Sequence, residues 1–129
     1  MNVETVRESL DAINSSDFDR VCACFTDDVV FDGTRIAEGI YQGKASYRSF
    51  LEESKRTNAY RFSNYTLLLD EDTVIAVVDT ELVGSRSGAS TLGRLGFRYQ
   101  MRDGLIARQE IHADVDELLR EQGLEDPRP

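Results

Sequence analysis

The chain has 129 residues, 40% of them hydrophobic and 30% charged, enough for one domain with a true core. A formal charge of −9 argues against nucleic acid, whose phosphates demand a basic stripe, and against anionic membrane surfaces. No apolar run approaches the roughly 20 residues of a spanning helix, and the acidic start MNVETVRESL does not read as a secretory leader, so a cytoplasmic protein is expected.

Val3, Val6, Leu10 and Ile13 recur at helical spacing and predict a first helix over roughly 3–14. The segment NSSD breaks it and offers caps for a second helix, whose stripe is Phe18, Val21, Cys22 and Phe25. Cys22 reads as a small core residue of that stripe. Cys22 and Cys24 diverge on a helix and cannot bridge, and one histidine with two cysteines makes no zinc pattern, so no metal is expected. A short strand, VVFD, and a loop, GTRIAEGIYQG, lead to a third helix at about 44–56 carrying Tyr47, Phe50 and Leu51 on one side.

The period then changes. AYRFSNYTLLL, DTVIAVVDTELV, STLGRLGFRYQM and LIARQEIHAD are β-rich, split by DED, GSRSGA and RDG, the last a tight-hairpin signal. VDELLREQGL predicts a short closing helix, and residues 125–129 a flexible tail. Helices followed by an antiparallel meander predict a single α+β domain over 1–129, with the helices on one face of the sheet. No phosphate loop, nucleophile elbow or dinucleotide fingerprint is present.

This order, with SSDFDRVCACFTDDVVF near the start and ADVDELLREQGL near the end, resembles the nuclear transport factor 2-like superfamily, in particular its SnoaL-like polyketide cyclase branch. The resemblance covers about residues 3–125 and implies a cone-shaped α+β barrel, in which a curved antiparallel or mixed sheet wraps three helices around a pocket. It also implies a homodimer built on the convex face of the sheet. The superfamily hosts cyclases, isomerases, dehydratases, epoxide hydrolases and plain binding domains, so fold alone does not select the chemistry.

By the same resemblance, Asp114 falls where relatives carry a working aspartate. The spacing Asp114–Glu117 ahead of Leu118 and Leu119 equally suits a helix-capping box. Asp79 falls where limonene-epoxide-hydrolase-like members keep a second acid, although Val77, Phe31 and Gly33 stand where their arginine, tyrosine and asparagine would be. Alternation puts Asp79 on the face of Ile75 and Val77, either in the pocket or in solvent. Asp32 lies one position before the steroid-isomerase base, with Ser9 and Phe97 in place of the oxyanion pair; it reads better as a turn residue. His112 alternates onto the same face as Arg108, Glu110 and Asp114, where an Asp–His pair is possible, unless a bulge turns Gln109, Ile111 and Ala113 inward instead.

Phe18, Phe31, Tyr47, Phe50, Leu95, Phe97, Tyr99 and Glu110 are the expected substrate-binding residues. The leading expectation is a cofactor-independent enzyme of cyclase, isomerase or dehydratase type acting on a small, largely apolar metabolite. Carboxylates in an apolar pocket would serve as its general acid and base. A non-catalytic ligand-binding or dimerisation module is the alternative, with epoxide opening a third reading.

Overall fold

The structure is a computed structural model that describes residues 1–57, 59–83 and 90–126. The predicted GSRSGA turn (84–89) and the last residues of the predicted tail (127–129) lie outside the described residues.

Helix α1 (Asn2–Asn14) buries Val6, Leu10 and Ile13, as their spacing requires, and ends at a turn where Ser16 takes φ 54°. Asp17 caps α2 (Phe18–Ala23), its carboxylate accepting from the Arg20 amide at 3.3 Å. This helix stops sooner than the stripe predicts, because the chain extends at Phe25, the first residue of β1 (Phe25–Asp32). The core cysteine is therefore Cys24 rather than Cys22, and burial pushes its thiol up to about 11.

A 3-10 turn (Thr34–Ile36) and β2 (Ile40–Gln42) lead into α3 (Lys44–Thr57). Then come β3 (Ala59–Asp70), β4 (Thr73–Val83), β5 (Ser90–Arg102), β6 (Leu105–His112) and α4 (Val115–Gln122). The six-stranded sheet runs β2-β1-β6-β5-β4-β3, with β1 and β6 parallel and the other neighbours antiparallel. β2 and β3 are its edges, so the cone is an open sheet rather than a closed barrel. The RDG signal holds: Asp103 and Gly104 both take positive φ, 55° and 77°, as a two-residue hairpin between β5 and β6 demands.

Both faces of the middle strands are apolar because both are covered. The inner set Val74, Ala76 and Val78 packs with α1 and α3 in the main core. The outer set Ile75 and Val77 packs against Val115, Leu118 and Leu119 of α4. A Cβ at Gly96 would lie 2.6 Å from the Leu118 side chain, so glycine lets the helix sit down on β5. The convex face on which the resemblance implies a homodimer thus carries the chain's own helix over its apolar part.

One irregularity decides which side chains the last strand sends inward. Gln100 pairs with Arg108 but Met101 pairs with Ile106, leaving Ala107 as an extra residue in β6. Alternation changes phase at that bulge. Ile106, Gln109 and Ile111 all face the interior, while Arg108, Glu110 and His112 face outward.

Candidate functional site

A cavity of about 210 Å³ lies between α1, α3 and the inner face of the sheet. Tyr47, Phe50 and Leu51 of α3 meet Phe31 of β1 on one side; Tyr60 and Phe62 of β3, with Leu95 and Phe97 of β5, form the other. Gln109 and Ile111 close the floor. The rings pack on one another, Phe31 with Phe50 and with Tyr47 at centroid distances of 4.9 Å, and Phe62 edge-on to Phe97 at 5.5 Å. Such stacked and edge-to-face pairs hold the walls in place without filling the space.

Few polar groups reach this apolar space. Tyr47 donates its phenol hydrogen to Gln109 Oε1 at 2.5 Å, and the Gln109 amide donates to the Tyr99 hydroxyl at 3.5 Å. Burial pushes the Tyr47 and Tyr99 phenols far above their ordinary range, so both stay neutral. Ser54 and Tyr60 share a hydroxyl–hydroxyl bond of 2.9 Å. Thr80 is 8% exposed and lines the cavity, and its hydroxyl has no hydrogen-bond partner among the described residues. A buried polar group in that state costs about 1–3 kcal/mol, which a guest bearing an acceptor or donor would relieve.

The carboxylate that lines the cavity, among the described residues, is Glu38. It is exposed, which marks the mouth. The loop presenting it is closed by backbone bonds, Glu38 N to Gly33 O at 2.9 Å and Gly33 N to Gly39 O at 3.0 Å, with Ala37 left-handed at φ 63°. A Cβ at Gly33 would lie 2.6 Å from Glu38 Cβ, so only glycine permits this fold of the loop.

The residues expected to do chemistry lie elsewhere. Asp114 is exposed and caps α4, its carboxylate accepting from the Glu117 amide at 3.0 Å; it borders an open groove with Arg94 and Asp116 on the outer side. The capping alternative describes its contacts. Asp79 stands on the outer face with Ile75 and Val77, where Asn64 donates to it at 2.8 Å. Asp32 closes the turn after β1, accepting from the Thr34 amide and hydroxyl at 3.0 and 2.6 Å and from Arg108 at 2.6 Å. The Thr34 bonds first, and the Arg108 charge after them, hold its carboxyl below the usual range.

His112 and Glu110 are partners, 3.1 Å apart, but on the outward phase of β6. Glu110 also takes Arg98 at 2.7 Å, and Arg98 reaches on to Glu121 and Gln122 of α4 at 3.0 and 3.1 Å. Burial alone would raise the Glu110 carboxyl; the His112 bond and the Arg98 charge outweigh it and leave it lowered. This polar row therefore pins the closing helix to the sheet. The position of Glu110 also removes it from the expected substrate contacts.

Of the other expected contacts, Phe31, Tyr47, Phe50, Leu95 and Phe97 do line the cavity. Tyr99 is fully buried behind Gln109, and Phe18 packs half-buried against the core away from the lining. Gln109 and Ile111 line it as the bulged alternative for the last strand requires, whereas Ala113 is exposed beyond the strand; Thr80, Glu38 and Ser54 were not anticipated. The inner set Val74, Ala76, Val78 could have pointed to Thr80, the next residue in phase, but the outer set is equally apolar in sequence.

Residues 6–109 match the SnoaL-like domain family. No curated protein matches the chain. Among solved structures, an NTF2-like protein of unknown function from Burkholderia pseudomallei superposes with a TM-score of 0.77 at 20% identity, over 92% of this chain and 95% of that one. TerC, co-crystallized with polyporic acid, superposes at 0.78 with 19% identity over 92% and 95%. An LEH-like epoxide hydrolase of M. tuberculosis gives 0.74 at 18% identity over 92% and 86%. At these identities the neighbours speak for the fold, and the family match covers most of the sequence. The chain belongs to the SnoaL-like domain family and has its NTF2-like cone fold.

Proposed function

We propose that this domain binds one compact, mostly apolar molecule in its cone, with rings against the aromatic walls and one polar atom on the Thr80 hydroxyl. The observation that carries the reading is that hydroxyl, buried without a partner among the described residues and lining the cavity. An apolar pocket with a few placed polar groups is the usual form of a small-molecule site, and 210 Å³, below the roughly 300–1,000 Å³ of common ligand pockets, limits the guest to a small molecule.

A matched pair of probes tests it. p-Cresol should bind the wild type about tenfold more tightly than Thr80→Val, as expected for one hydrogen bond, while toluene binds both alike. Calorimetry that finds no affinity for either probe, or the same affinity of cresol for both proteins, would overturn the reading.

An acid–base enzyme of cyclase, isomerase or dehydratase type is the second reading, and the position of Glu38 favours it. In that reading Glu38, rather than Asp114, Asp79 or Asp32, accepts the proton. Deuterium exchange at the α-carbon of cyclohexanone, followed by NMR, should be faster with wild type than with Glu38→Gln; equal rates would sink it. The epoxide-opening reading loses its support, because Asp79 and Asp114 both stand outside the cone.

A further inference from the structure

The charge at the mouth of the cavity and the electronics of its walls point the same way. Phe31, Tyr47, Phe50, Tyr60, Phe62 and Phe97 surround the space, and ring faces carry negative potential that attracts cations. Glu38 is the one charged side chain lining the cavity among the described residues, and its loop is braced to present it. The wall already holds a cation in this way: Lys55 Nζ sits 4.5 Å from the centroid of the Tyr60 ring and donates to the Tyr60 carbonyl at 2.7 Å. That ammonium is not part of the lining. The chain as a whole carries −9, a field that raises the local concentration of cations and repels anionic guests.

Resting on the binding reading above, we infer that the guest is an organic ammonium: an aryl or cycloalkyl amine whose body fills the cone with a neutral polar substituent on the Thr80 hydroxyl, while its charged nitrogen stays at the mouth between Glu38 and the nearest rings. The alternative orientation, with the ammonium buried beside Thr80, would strip a full charge of water for a single hydroxyl, a far larger penalty than one hydrogen bond repays. At the mouth the charge keeps part of its hydration and meets a carboxylate. An exposed ion pair and a partly solvated cation–π contact together correspond to roughly a tenfold preference for the amine over a neutral isostere.

The test compares 2-phenylethylamine, 2-phenylethanol and 3-phenylpropanoate by calorimetry at neutral pH, against wild type, Glu38→Gln and Glu38→Lys. Glu38 is exposed, so both variants are expected to fold, and their far-UV spectra check it. The inference expects the amine to bind wild type about tenfold more tightly than the alcohol, with most of that advantage gone in Glu38→Gln and the alcohol unaffected. Glu38→Lys should turn the preference toward the propanoate. If the alcohol binds wild type as well as the amine does, the ammonium inference falls while the binding reading stands. If none of the three probes binds while p-cresol does, the ammonium inference falls and the binding reading stands; if p-cresol fails as well, both fall.

Discussion

Asp114 shows how one carboxylate can satisfy a functional motif and a structural one with the same spacing. Its side chain accepts from Glu117 N and starts α4, whose far end closes on Gly123 in the left-handed region at φ 72°. Replacing it with alanine should lower stability by about 1 kcal/mol, the usual worth of a cap, and Asp114→Asn should keep most of that. Neither change should alter probe affinity for the cone. Urea melts with parallel calorimetry check both halves, and a loss of binding without a loss of stability would return Asp114 to the site. The cap was legible in the sequence because capping needs only local spacing. The cavity's hydroxyls were not, because Thr80 and Ser54 acquire meaning only once distant elements enclose them.

At the scale of elements, local signals gave the first and third helices and the last hairpin, while the second helix ended short of its predicted stripe. Hydrophobic period placed α1 and α3, and Arg-Asp-Gly placed the hairpin before β6. The orientation of β6 stayed open for a physical reason: Ile-Ala-Arg-Gln-Glu-Ile-His contains no glycine or proline to mark a bulge, so plain alternation with the charged row inside and a bulged strand with Gln109 and Ile111 inside fit the sequence alike. The seat of α4 was equally hidden, since it depends on the missing side chain of Gly96. Gly96→Ala should push Leu118, which is fully buried and has little room to yield, and destabilise by about 1–3 kcal/mol. Adding Leu118→Ala should make the double variant more stable than the sum of the single changes predicts. Strict additivity would mean that the glycine serves something other than this packing.

For the whole molecule, the outer ionic row is a stability term with a pH signature. Arg98 and Glu110 are only 13% and 15% exposed, so their pairing is shielded from solvent in a way that the other surface pairs are not. Asp32 and Glu110 both titrate below their ordinary range in the folded chain. Lowered folded values mean that their contribution is complete above the unfolded carboxyl range, around pH 4, and is lost as pH falls through the lower folded values. Unfolding free energy from urea should therefore hold steady from pH 7 to about 5 and fall steeply below 4. Glu110→Gln, which removes the more buried of the two carboxylates that pair with Arg98, should be less stable at pH 7 and show a shallower acid slope. An unchanged slope would place the acid sensitivity elsewhere.

The extra residue at Ala107 gives the last strand a spare link. Shortening the chain there would straighten the ladder yet leave every later side chain on its present side, since Arg108 already faces Gln100. Losing any one residue between Arg108 and Ile111 would instead roll the remainder over, bringing imidazole into the hollow and ejecting isoleucine toward the closing helix. Length variation in this segment is therefore neutral at one position and transforming at the next, a rule by which one scaffold can trade an unreactive lining for an ionisable one.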